Sequence, residues 1–69
     1  MKEVRIKDDF IKLGQAMKLC GVVDSGVEAK LVIQQEKVKV NGEVCISRGK
    51  KLTAGDTFAY DKESYLIVS

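Results

Sequence analysis

The sequence contains no histidine, no proline and no tryptophan, and only two cysteines. Without histidine it lacks the commonest general base near neutral pH and the commonest metal ligand. Cys20 and Cys45 alone cannot assemble the four ligands of a structural zinc site, so neither a metal nor another cofactor is expected. A secreted disulfide scaffold would carry roughly four to eight cysteines behind an apolar leader, and no apolar segment follows Met1. Both cysteines are therefore read as reduced, packed or half-buried side chains of a cytoplasmic protein. Apolar runs are only a few residues long, so no membrane-spanning helix is expected.

What remains is a chain of 69 residues, enough for one domain, read as spanning residues 1–69. A core of this size supplies only about 3–5 kcal/mol net, which leaves little to hold strained catalytic geometry. No spacing in the sequence assembles a nucleophile, a base and an oxyanion donor, so a protein without catalytic activity is expected.

The net charge of +2 is a sum of unlike parts. Residues 1–36 balance to zero. Residues 37–51 carry Lys37, Lys39, Arg48, Lys50 and Lys51 against Glu43 alone, and residues 52–69 are net acidic. A basic cluster of this kind is the footprint of a polyanion site or, equally, a solvated face.

Phe10, Leu13, Met17 and Cys20 recur at helical spacing and predict an amphipathic helix over about 9–20, capped by Asp8 or Asp9 and stopped by Gly21. On this reading Phe10 is a core residue, and Lys12, Gln15 and Lys18 occupy the opposite arc. Ser25 followed by Glu28 is a capping-box pattern that opens a second helix running to about Gln35. Its apolar residues surround most of the circumference and predict packing on nearly every side, with Lys30 and Gln34 sharing one polar strip. Lys30 is then either a presented cation or a side chain passing the core to reach water.

Residues 37–46 alternate by two around Asn41-Gly42, a hairpin signal. A three-residue loop or a bulge would pair Val40 with Val44 and Val38 with Ile46, keeping the valines on one face and placing Lys37 and Lys39 outward. Residues 47–51 form a basic connection, and Ala54-Gly55-Asp56 a turn. Strands are expected at 57–60 and 65–68, joined around 61–64, so the order reads as two helices followed by four short strands.

The run from Phe10 to Asp56, with Leu13, Gly21, Ser25, Ala29-Lys30, Ile33, Val38-x-Val40-Asn41-Gly42 and Gly55-Asp56, resembles the S-four RNA-binding domain. Phe10 to Gln15 and Arg48 to Leu52 are similar to its small stand-alone bacterial members. The resemblance implies an α+β fold in which two N-terminal helices pack on a small, bent antiparallel sheet, the alpha-L motif, with its core at about 8–56. It implies a surface for structured RNA, ribosomal or transfer, on the helix pair and hairpin of a monomer, with the ribosome as a candidate setting.

Matched to that pattern, Ser25 and Lys30 are expected to contact RNA from the second helix, and Lys39 and Asn41 from the hairpin. Asn41 has an equal claim to serve the turn alone. Charge adds Arg48, Lys50 and Lys51, then Lys12, Lys18 and Lys37. The chain departs from the pattern in three places: Gly26 stands where the family has arginine, Glu36 where it has glycine, and Asp8-Asp9 at a start that is usually basic. The later basic loop would compensate. Few aromatics are present and no motif of a stacking platform for single strands. Two other readings compete. One is a module docking an acidic protein, and the other a β-grasp sulfur carrier, which the branched tail Leu66-Ile67-Val68-Ser69 disfavours because a carrier needs a flexible Gly-Gly end.

Overall fold

The computed structural model describes residues 1–69. Strand β1 (Lys2–Arg5) comes first, then β2 (Ile11–Lys12), α1 (Leu13–Leu19) and α2 (Gly26–Gln34). Five short strands follow: β3 (Val38–Val40), β4 (Glu43–Val44), β5 (Lys51–Leu52), β6 (Thr57–Tyr60) and β7 (Glu63–Val68). The fold is α+β. The main sheet has the order β1-β7-β6-β3-β4, and β2 pairs with β5 apart from it. Because β1 runs parallel to β7 while the other pairs are antiparallel, the sheet is mixed, which corrects the purely antiparallel expectation. A single core of fifteen buried side chains draws on both helices and the sheet, including Leu13, Met17, Ile33, Val38, Phe58 and Ile67. At its centre the rings of Phe58 and Tyr65 stack with centroids 4.8 Å apart.

Helix α1 begins at Leu13, not near residue 9, and neither Asp8 nor Asp9 caps it. Ile11 and Lys12 are extended because they pair with Leu52 and Lys51 of β5. The helical period therefore does not apply before Leu13: Ile11 packs against the core, and Phe10, just ahead of β2, is exposed. Phe10 is 39 % exposed, contrary to its reading as a core residue.

Ser25 caps α2 as the sequence suggests, but the return bond of the capping box goes to Asp24 and not to Ser25. Ser25 Oγ accepts from the Glu28 backbone N–H at 3.1 Å, while the Glu28 carboxylate accepts from the Asp24 N–H at 2.7 Å. The expectation of packing on nearly every side fails, since only Ala29, Val32 and Ile33 are buried and Val27 and Leu31 stand in solvent. A domain this small has a core on one side of the helix and nothing to cover the other.

Both helices end in the same motif. After α1 the Val22 N–H reaches the Met17 carbonyl and the Gly21 N–H the Lys18 carbonyl, with Gly21 at φ +81°. After α2 the Lys37 N–H reaches Val32 and the Glu36 N–H reaches Ile33, with Glu36 at φ +62°. A side chain in this left-handed position costs about 1 kcal/mol that glycine does not incur. Glu36→Gly is therefore expected to raise stability by about 0.5–1 kcal/mol and the melting temperature by roughly 2–8 °C. Thermal unfolding followed by circular dichroism checks this, and an unchanged or lower midpoint contradicts it.

The β3–β4 hairpin has the shorter loop. Val40 pairs with Glu43 and Lys39 with Val44, so Asn41 (φ +50°) and Gly42 (φ +88°) alone make the turn, and the three-residue loop is corrected. Two left-handed residues in succession match the twist of the flanking strands. This turn chemistry wins over hydrophobic register because β4 is a two-residue sheet edge, and the consequence is that Val44 and Ile46 are exposed. The β6–β7 hairpin is equally tight, turning on Asp61 and Lys62 with Tyr60 paired to Glu63.

Candidate nucleic-acid interface

The basic loop 47–50 is fastened to the start of α1. The first N–H groups of a helix have no partner within it, and here Leu13 N–H donates to the Lys50 carbonyl at 2.8 Å and Gly14 N–H to the Arg48 carbonyl at 3.0 Å. The loop closes on itself through Lys50 N–H to the Ser47 carbonyl at 3.3 Å. The approach at Gly14 is close: a Cβ there would lie 3.4 Å from Arg48 Cβ and 3.7 Å from Ala29 Cβ. A residue without a side chain thus sets the spacing of α1, α2 and the loop.

Between these three segments runs a groove whose charged side chains are Lys12, Lys18 and Arg48, with no acidic residue among its lining. Gly14, Gly26 and Gly49 also line it, which lets a ligand backbone come close. Gly26, where the family pattern has arginine, leaves open space: nothing lies within 4 Å of a Cβ built there. Gln15 also lines the groove, and its side-chain oxygen accepts from the Lys12 N–H at 3.4 Å. Gln15 holds that place because α1 starts at Leu13, which puts it three positions after the capping residue Lys12.

Lys51 lies directly opposite Lys12 in the β2–β5 pair. Like charges in that position repel, so the pair favours an anion between or beside them. The Lys51 ammonium sits 4.8 Å from the centroid of the Phe10 ring.

The other expected residues are placed less uniformly. Ser25 is engaged in its cap beside Gly26, and Lys30 is exposed one turn further along α2. Lys50 and Asn41 line a second hollow along the hairpin with Val44 and Ile46. Both ends of the Asn41 side chain are used within the fold: its oxygen accepts from the Thr57 N–H at 2.9 Å and its amide nitrogen donates to Asp56 at 3.2 Å. Asp56 also accepts from the Thr53 N–H at 2.8 Å; that bond first, then the Asn41 amide, holds the Asp56 carboxyl below the usual carboxylate range. Lys37 lines a separate depression with Tyr60 and Asp61, and Lys39 stands across from Val44, so neither joins the groove.

No three side chains of the kinds that ligate metals lie together. Both cysteines are free and half-buried, and burial pushes the Cys20 thiol above its ordinary pKa. No helix is long and apolar enough to cross a membrane.

The chain resembles known proteins over nearly all of its length. A family model described as the S4 domain matches residues 4–68. A probable ribosome maturation protein, RlbA of Bacillus subtilis, is 42 % identical over 53 residues, covering 77 % of this chain and 75 % of that one. The putative RNA-binding protein YbcJ of Escherichia coli is 33 % identical over 63 residues, covering 91 % of this chain and 90 % of the relative. The solution structure of the E. coli YbcJ protein, described as having a motif involved in RNA binding, superposes with a TM-score of 0.75 at 31 % identity, covering 100 % of this chain and 89 % of that one. The S-four resemblance read from the residues and the match across the whole fold agree: the chain belongs to the S4 domain family.

Proposed function

We infer that this protein is a non-catalytic RNA-binding module, a single domain acting as a monomer in the cytoplasm, whose ligand is structured ribosomal or transfer RNA. The observation that carries the reading is the convergence of Lys12 and Lys18, from the two ends of α1, and Arg48, from the 47–50 loop, on a groove with no acidic residue. Two helices laid against one sheet give those cations a fixed spacing, and the glycines admit a sugar–phosphate backbone closely. Binding neutralises phosphates and releases counterions, the sequence-independent part of recognition, while the rigid spacing selects RNA shape. Lys51 extends the basic surface beyond the groove, Lys30 and Lys50 flank it, and Asn41 and Ser25 act by holding the hairpin turn and the α2 start. Lys37 and Lys39 contribute at longer range. The description of RlbA as a ribosome maturation protein supports a ribosomal setting.

A filter-binding titration on ribosomal and transfer RNA at several salt concentrations tests the reading. Three phosphates neutralised in the groove give a slope of log affinity against log salt of about 2 or more, so affinity falls about a hundred-fold over a tenfold rise in salt. Absent or salt-independent binding refutes it.

A further inference from the structure

We propose that Phe10 is a stacking site for an unpaired nucleobase of the bound RNA; the proposal rests on the RNA-binding reading above. Phe10 is the exposed aromatic of the chain, standing at the edge of the basic surface immediately before Ile11, which pairs with Leu52 of β5. Phe10 lines a depression together with the apolar side chains of Ile11 and the exposed Leu19 and with Arg5 and Lys7. Gln15 lines both this depression and the cationic groove, so the two adjoin across α1. A strand whose phosphates lie in the groove reaches Phe10 within a short step.

The chemistry of the depression suits a base better than a phosphate. It offers apolar contact to a ring face, and the Asp8 carboxylate in it accepts hydrogen bonds from the amino groups that bases carry on their edges. The Phe10 ring already attracts one cation, Lys51, at 4.8 Å. An incoming nucleotide brings a base to the ring and a phosphate to that ammonium, satisfying both. Unpaired bases stacked on aromatic side chains are how proteins commonly read loops and bulges in RNA.

The test compares an RNA hairpin carrying an unpaired loop with a fully paired RNA duplex of equal phosphate number. Phe10→Ala is expected to weaken binding of the hairpin about tenfold, and of the duplex by no more than about twofold. Phe10→Leu keeps apolar bulk without a π face and is expected to behave as Phe10→Ala does. Because the chain has no tryptophan, Phe10→Trp introduces a single indole, excited apart from the two tyrosines, that keeps hairpin affinity and is quenched by the hairpin but not by the duplex. Recovery of affinity in Phe10→Leu, equal losses on the two RNAs, or an unquenched indole in the bound state overturns the stacking site while leaving the RNA-binding reading intact. Failure of the unaltered protein to bind either RNA overturns both.

Discussion

Replacing Lys12, Lys18 and Arg48 together with glutamine lowers RNA affinity about a hundred-fold or more near 0.1 M salt and reduces the salt slope by about 2. The three side chains reach one groove from the entry to α1, its last turn and the 47–50 loop, so their effects belong to one binding event. Each is exposed, so removal costs the fold within about 0.5 kcal/mol per site. A control carrying Lys2→Gln and Lys62→Gln, outside the groove, keeps the greater part of the slope. Equal losses in the two variants would show that the basic charge acts diffusely and that the groove has no special place in binding.

The second large effect is expected from a residue with no functional group. Gly14→Leu drives a side chain into the gap between Arg48 and Ala29, where a Cβ alone already lies 3.4 Å from Arg48 Cβ. Overpacking of this kind costs about 1–3 kcal/mol, a large share of the 3–5 kcal/mol that a core of this size provides. It also forces the 47–50 loop from α1 and breaks the Gly14 N–H bond to the Arg48 carbonyl. RNA affinity then falls with stability although no cation has been touched. Gly14→Ala is close to neutral, because improved helix propensity offsets the tight contact. Urea unfolding of the two variants separates these outcomes, and equal midpoints would show that the loop yields without cost.

Much of the fold was legible where the deciding chemistry is local. The Ser25–Glu28 cap, the Gly21 stop, the Gly55 turn and strand β6 follow from side chains within a few residues of one another. Pairings between distant segments were not legible. Nothing near Lys2 or Ile11 announces a partner at Tyr65 or Leu52, and without β2 the periodicity from Phe10 onward reads as helix. Hydrophobic alternation and turn geometry disagree over the hairpin register, and the edge strand β4 lets the turn decide.

The candidate site divides in the same way. The cationic residue types and the basic cluster are in the sequence. That Lys12, Lys18 and Arg48 meet while Lys37 and Lys39 do not depends on two backbone hydrogen bonds and one glycine. Helical periodicity places Phe10 in the core, and its exposure follows from a helix that starts only at Leu13.

The order β1-β7-β6-β3-β4 also bears on how the chain is made. Strand β1 has its partner in β7, Lys2 opposite Tyr65 and Arg5 opposite Val68. While the chain is being translated, β1 has exposed backbone donors and acceptors and no mate, and Val4 and Ile67 cannot both be covered until β7 has emerged. Helices α1 and α2 depend on contacts near in sequence, but the sheet closes only once β7 is available to β1, across more than sixty residues. Folding is therefore expected to be completed in one late step, and a nascent chain halted before residue 63 should remain sensitive to protease at its amino-terminal strand.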